Sequence, residues 1–319
     1  MAYDREKQVA VDAALAAAKL CEQVRQAIPP AMEKGDKSPV TVADYGSQAI
    51  ICKALAEAFP NDPIVGEEDA TELRTPEMAE NLTKVTEAVK GVIPEATPDL
   101  VTSWIDHGNG KVGKRFWTLD PIDGTKGFLR KDQYAIALAL IEDQEVKVGI
   151  LACPAYPVEN QAAGMLFVAV RGEGASQMPF ATGEVTPIHV VKQDDTANLR
   201  FVESVESGHG DQDRQNAVAK AVGITAPSAR MDSQAKYGAV ASGQAALYLR
   251  LPSPKSPNYR ENIWDHAAGA IVVEEAGGRV SDMFGQPLDF ASNSKMMDNQ
   301  GVIVSNGIIH ETVLKALKA

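Results

Sequence analysis

The spacing of apolar positions changes twice along the chain. Residues 3–28 form an alanine-rich stretch in which Val9, Leu15, Leu20 and Val24 can share one helix face. Pro29-Pro30 ends it, because proline lacks the amide donor a helix interior needs. A polar loop runs through Pro39, and a second helix is expected from near Thr41 or Asp44 to Phe59. Asn61-Asp62-Pro63 reads as a turn before a short apolar strand, Ile64-Val65-Gly66, which delivers Glu67-Glu68-Asp69. Helical spacing returns over 75–90 and in a shorter piece after Pro98. The period then shortens: 116–119, 134–141, 146–152 and 165–170 are β-rich runs parted by Gly, Pro and charged turns. They predict a largely antiparallel sheet flanked by the earlier helices.

Beyond about residue 196, strands and helices alternate. Strands are expected at 199–205, 245–251, 279–281 and 302–305, and helices at 211–222, 235–242, 265–276 and 309–317. That rhythm is α/β. The expected fold is an α/β sandwich with an α+β part over 1–192 and an α/β part over 193–319. Pro252 to Pro257, rich in Pro and Ser, reads as a surface loop.

Composition narrows the partners. Apolar residues make up 45% and charged residues 23%, ordinary for a globular protein. The net charge of −12 repels nucleic-acid backbones and anionic lipid surfaces, so neither is an expected partner. Phosphate remains open to an acidic protein if bound cations supply the local positive charge. Cys21, Cys52 and Cys153 have neither metal-ligand nor disulfide-framework spacing and read as buried thiols in a reducing compartment. The chain opens on an amphipathic helix, not a secretory apolar core, and no apolar run approaches the roughly 20 residues that cross a bilayer. A cytoplasmic monomer is the expectation.

The densest chemistry lies in Trp117-Thr-Leu-Asp120-Pro-Ile-Asp123-Gly-Thr125-Lys-Gly-Phe128. A β-like run is expected to end at Asp120, with Pro121 and Gly124 forcing a tight turn. Asp120 and Asp123 can then converge, with backbone N–H groups at Gly124 and Thr125 free to cradle a phosphate. Alone, this string could be no more than a capped turn. Glu67-Glu68 follows an unusually apolar lead-in, although an exposed acidic loop would look similar, Asp69 above all. Trp264-Asp265 opens an apolar helical stretch that ends in Gly277-Gly278, and Asp265 by itself would pass for an N-cap. Together, four carboxylates at strand ends and a helix start suit Mg²⁺, which takes carboxylate and phosphate oxygens. Two ions roughly 3.5–4 Å apart would flank an in-line displacement.

At these residues the chain resembles the lithium-sensitive, magnesium-dependent phosphatases of the inositol monophosphatase superfamily. Asp44, Glu67-Glu68, Asp120-Pro-Ile-Asp-Gly-Thr125, and Trp264-Asp265 with eleven residues before Gly277-Gly278 stand in that family's order and spacing. The resemblance implies a layered αβαβα fold and two or three Mg²⁺ ions. By it, Glu67, Asp120 and the Ile122 carbonyl resemble the ligands of one ion, and Asp120, Asp123 and Asp265 those of a second, with Asp265 also bordering the substrate. Glu67, with Asp44, resembles a weaker third site. Asp44 and Thr125 resemble the pair that orients and activates the attacking water, and no covalent intermediate is implied. Inhibition by Li⁺ or Na⁺ is implied as well.

Further strings resemble one branch, the 3′(2′),5′-bisphosphate nucleotidases: Lys37-Ser-Pro-Val-Thr41, Val205-Glu-Ser207-Gly208-His209, and Met231-Asp232-Ser233-Gln-Ala-Lys236-Tyr237. By that resemblance Ser233 and Lys236 hold a 5′-phosphate, His209 (beside Ser207 and Gly208) and Arg250 flank adenine, and Asp232 contacts the base. The implied substrate is adenosine 3′,5′-bisphosphate, with 3′-phosphoadenosine 5′-phosphosulfate as a second, in sulfate assimilation. The chemistry is coherent, since a second phosphate needs its own cation and a cation can stack on a purine. Plainer readings make Lys236 a solvated helix residue, His209 a turn residue and Arg250 a strand-edge charge. An inositol polyphosphate 1-phosphatase and a non-catalytic metal-binding regulator remain as alternatives. Residues 33–40, just before Asp44, are a candidate cover for bound substrate.

Overall fold

The computed structural model describes residues 2–27, 38–192, 195, 199–206 and 211–318. Helix α1 (Asp4–Ala27) buries Ala10, Ala13, Ala14, Ala17 and Ala18, small side chains that let it lie close against α2 (Ser38–Ala58). Helix α2 starts earlier than its sequence suggests, because Pro39 in a first turn gives up no needed donor. Next come β1 (Ile64–Gly66), two 3₁₀ turns, α3 (Ala79–Lys90) and α4 (Pro98–Asp106), the last capped by the Thr97 side chain. The 3₁₀ turns, Glu72–Arg74 and Pro76–Met78, replace the first turn of the helix expected over 75–90.

The remaining elements of the first sheet are β2 (Arg115–Asp123), β3 (Ala135–Glu142), β4 (Glu145–Cys153), β5 (Met165–Val170), β6 (Gly174–Pro179) and β7 (Thr186–Ile188), with α5 (Thr125–Arg130) between β2 and β3. The sheet runs in chain order, with β1 parallel to β2 and every later pair antiparallel. Strands β6 and β7 had no counterpart in the sequence reading. Gly, Ser, Gln and Pro dilute their apolar pattern, and pairing with β5 holds them in place. Arg115 pairs with Glu6, Asp62 and Glu142, and the Tyr3 hydroxyl donates to Glu142 at 2.5 Å, so α1 is fastened to the start of β2.

The second sheet holds β8 (Phe201–Glu203), β9 (Ala229–Arg230), β10 (Leu247–Arg250), β11 (Arg279–Ser281) and β12 (Val302–Ser305) in the order β11-β12-β10-β8-β9. Between its strands run α6 (Gln212–Ala221), α7 (Ala235–Ala241) and α8 (Ala267–Glu275), and α9 (His310–Lys318) follows β12. Helices α1 and α2 cover one face of the first sheet, and α7 and α8 pack between the two sheets. Helices α6 and α9 close the far side through Val218, Val313 and Leu317. One apolar cluster passes through the middle layer from Phe167 and Tyr156 to Tyr237, Ile271, Tyr248 and Val302. The result is the expected α-β-α-β-α layering. All three cysteines are buried and unpaired. Among the described residues no helix is long and apolar enough to cross a membrane.

Candidate metal and phosphate site

The acidic wall is built by register. Parallel pairing sets Gly66 opposite Leu119, and the Glu67 amide donates to the Leu119 carbonyl at 3.1 Å, so Glu67 emerges beside Asp120. The buried Gln48 side chain, from α2, accepts from the Glu68 amide at 3.1 Å and donates to the Glu68 and Ile105 carbonyls, which fixes the acidic loop from below. Strand β2 does not stop at Asp120. It runs on to Asp123, and its pairing with β3 shifts register between those two residues. In that irregularity the Ile122 amide donates to Asp120 Oδ1 at 3.1 Å, and Ser47 Oγ donates to the Pro121 carbonyl at 3.1 Å. The turn comes at Gly124, whose φ of +92° few other residues adopt, and a Cβ there would lie 2.9 Å from Ser233 Cβ. Helix α5 then begins at Thr125.

The opposite wall is the segment between β9 and α7. Gln234 ties it together: its amide donates to Asp123 Oδ2 at 2.5 Å, its Nε2 to the Trp264 carbonyl at 2.9 Å, and its Oε1 accepts from the Gly269 amide at 3.1 Å. Ser233 beside it holds a left-handed φ of +65°, strain of the kind that fixed sites retain. Asp265 is not the helix cap its position suggests. It closes a 3₁₀ turn, Ile263–Asp265, where its Oδ2 accepts from the Asn262 amide at 2.8 Å, and α8 starts at Ala267.

Between the walls lies a cavity of about 310 Å³ lined by groups of both charges. Four carboxylates belong to it, Glu67, Asp120, Asp123 and Asp265. Burial pushes Asp120 well above the usual carboxylate range, and the charges of Glu67, Asp123 and Asp265 add to it. Burial also raises Asp123, against Lys236. Glu67, open to the cavity but hemmed in by protein, is pushed up to about 7, and burial carries Asp265 to about 7. Such a cluster of hard oxygen donors, short of positive charge, fits a divalent cation. Glu261, Asp265 and His266 also offer one ligand atom each within 4.8 Å of one another.

The same cavity is lined by Lys236 and Arg250. Lys236 is buried, and burial pushes its ammonium down to about 8 although Asp123 pulls it back up. Its Nζ donates to the Met231 carbonyl at 3.4 Å and lies 5.1 Å from the Tyr248 ring centre. Arg250 Nε donates to Glu261 Oε1 at 3.0 Å. Burial would raise Glu261, yet His266 and Arg250 hold it at about 2. Tyr237 and His266 Nδ1 share a hydrogen bond of 2.7 Å behind them.

Of the residues singled out in the sequence, Glu67, Asp120, Ile122, Asp123, Gly124, Thr125, Asp232, Ser233, Lys236, Arg250 and Asp265 all line this one cavity. Asp44 is not part of its lining. It sits on α2, where burial and the charges of Glu68 and Glu67 raise its carboxyl. Ser207, Gly208 and His209 lie outside the described residues, as does most of 33–40. Sequence reasoning missed Gln234, Glu261, His266 and Tyr259, which also line the cavity. Glu261 had a faint signal, an acid four residues before Asp265.

The fold and the cavity define a phosphatase architecture, and the chain belongs to the inositol monophosphatase family, whose model matches residues 3–319. Within that family it is 44% identical to a 3′(2′),5′-bisphosphate nucleotidase of Schizosaccharomyces pombe, an alignment covering all of this chain and 96% of the relative. It is 41% identical to a protein of the same name from Oryza sativa, covering 99% of this chain and 94% of that one. In fold it matches an inositol monophosphatase from Zymomonas mobilis with a TM-score of 0.65, at 21% identity and full coverage of both chains. CysQ from Bacteroides thetaiotaomicron, a bacterial member of the family, gives the same TM-score at 20% identity, covering 96% of this chain and 98% of that one.

Proposed function

We propose that this chain is a Mg²⁺-dependent phosphomonoesterase that removes the 3′-phosphate of adenosine 3′,5′-bisphosphate, giving AMP and phosphate. One observation carries the reading: a single cavity is lined both by four carboxylates, Glu67, Asp120, Asp123 and Asp265, and by two cations, buried Lys236 and half-buried Arg250. That combination suits a substrate with two phosphates, one reacting among cations and one held by the protein. Names of full-length relatives at 40–44% identity support the nucleotide over an inositol polyphosphate.

Two or three Mg²⁺ ions would be held by Glu67, Asp120, the Ile122 carbonyl, Asp123 and Asp265, with Asp44 toward the third. When bound, they supply Lewis-acid stabilisation of the charge that develops on the phosphate and leaving oxygens. The rest belongs to the chain. Gly124 and Thr125, where β2 gives way to α5, line the cavity, and their amides would orient the reacting phosphate. The Thr125 hydroxyl, assisted by Asp44, would hold the attacking water. Ser233 and Lys236 would grip the 5′-phosphate, whose charge favours the protonated lysine. Arg250 would face the base from one side, with His209 on the other and Asp232 at its edge. The sulfated nucleotide fits the same scheme, because the non-reacting end sees only an anion.

Phosphate release from adenosine 3′,5′-bisphosphate with Mg²⁺ tests the reading. Turnover abolished by EDTA and suppressed by Li⁺ is expected. Turnover only on an inositol bisphosphate would keep the metal end and refute the assignment of Lys236 and Arg250.

A further inference from the structure

We propose that Arg130, which does not line the cavity, is a positioning residue: it fixes Asp232 and Glu206 in the cavity wall and so sets KM for the bisphosphate. The inference rests on the substrate reading above. Helix α5 leaves the metal-binding turn at Thr125 and ends at Arg130. From there one guanidinium reaches three carboxylates: Nη2 donates to Asp232, Nη1 to Glu206, and Nε to Asp132 at 3.3 Å. Lys126, one turn earlier, adds a contact of 3.2 Å to Glu206. Asp232 and Glu206 line the same cavity as Asp120 and Lys236.

The geometry separates this cluster from an ordinary surface ion pair. The Asp232 side chain is 5% exposed, and a carboxylate that deep is costly unless a cation reaches it. Burial raises Asp232, and Arg130 is the foremost of the charges that lower it again. Helix α5 is also packed directly on this residue, since a Cβ on Gly127 would come within 3.0 Å of Asp232 Oδ2. The helix that starts at Thr125 thus clamps the wall that carries Asp232. The hydrogen bonds of Arg130 go to Asp232, Glu206 and Asp132 and not to Glu67, Asp120 or Asp265, so its loss disturbs binding before chemistry. The planar fork matters as well as the charge, because an ammonium cannot address two carboxylates in the same geometry.

The test compares kcat and KM on adenosine 3′,5′-bisphosphate with Mg²⁺ for wild type, Arg130→Met, Arg130→Lys and Glu206→Gln. Arg130→Met is expected to raise KM about tenfold or more while kcat stays within about threefold, with Arg130→Lys recovering part of the loss. The Mg²⁺ concentration for half-activation should not move. An unchanged KM, or a kcat that falls as far as kcat/KM, overturns the proposal. If Arg130→Met does not fold, Glu206→Gln decides, with a rise in KM of about threefold expected and no rise overturning it. Wild-type protein that ignores the nucleotide but cleaves an inositol bisphosphate refutes the substrate reading alone, and the same KM comparison on that substrate then decides the role of Arg130.

Discussion

Two of the polar clusters among the described residues are built in opposite ways. Around His310, the first residue of α9, one tautomer satisfies every group. Nε2 meets Ser281 Oγ at 2.8 Å, while that hydroxyl donates to the Asp282 carbonyl; Nδ1 meets Ser305 Oγ at 2.9 Å, which accepts from the Gly307 amide. In the acidic lining of the cavity, four carboxylates share single backbone donors at Ile122, Gln234 and Asn262. The first set is complete within the chain and is structural. The second is too rich in negative charge to stay fully ionised without compensation, which retained protons or a bound cation can supply. Nearby, the buried Nε2 of His266 and Nε1 of Trp264 have no hydrogen-bond partner, another sign of a region not arranged for stability.

The largest test of this contrast is Asp120→Asn. Phosphate release should fall more than about a hundredfold, because a shared metal ligand is lost. In EDTA the variant should nevertheless unfold at no lower temperature than wild type, since one of several mutually repelling buried charges has been removed. A melting temperature several degrees lower in EDTA would mean that Asp120 is structural, and the two clusters would no longer differ in kind.

Lys236→Met probes the cationic lining with a smaller effect. Methionine keeps most of the stem that packs beside Tyr248 and removes only the charge. KM for adenosine 3′,5′-bisphosphate should rise about ten- to a hundredfold, whereas KM for 3′-AMP, which lacks the second phosphate, should change by less than about threefold. Equal losses on both substrates would remove Lys236 from the second phosphate and leave it as part of the wall.

How legible these features were in the sequence follows from the range of the interactions that make them. The acidic lining of the cavity was legible because Glu67 directly follows β1, β2 carries Asp120 and Asp123, and the Asp-Pro-Ile-Asp-Gly-Thr string sets its own local geometry. The helices α1, α6 and α9 likewise follow their own spacing to within a residue or two. What was misread depends on distant partners. Strand β2 continues past Pro121 because β3 pairs with Asp123 beyond the irregularity. Asp265 is the local exception, leaving the helix because its carboxylate turns back to the Asn262 amide only three residues earlier. Gln234 and Arg130 could not be found from spacing at all, since each acquires its role from groups far off in the chain: Asp123 and Trp264 for one, Glu206 and Asp232 for the other.

The smallest effect is also the most discriminating, because the two clusters should tilt the pH dependence of stability in opposite directions. Burial lowers His310 from 6.5 to about 4, so between those values the unfolded chain binds a proton that the native state refuses. Stability attributable to His310 therefore rises with pH from about 4 to 6.5 and is lost on acidification. Asp265 is raised from 3.8 to about 7, so in that interval the native state keeps a proton that the unfolded chain has released. Without metal, its contribution falls as pH rises from 3.8 to about 7. His310→Gln should cost about 1–3 kcal/mol at pH 7 through broken buried hydrogen bonds. In EDTA it should leave a profile that declines more steeply with pH than wild type, and Asp265→Asn should leave one that declines less steeply. Denaturant titrations of the three proteins between pH 4 and 7 measure this directly. Parallel profiles for both variants would mean that neither cluster titrates on unfolding, and the distinction between a satisfied and an unsatisfied polar core would lose its physical basis here.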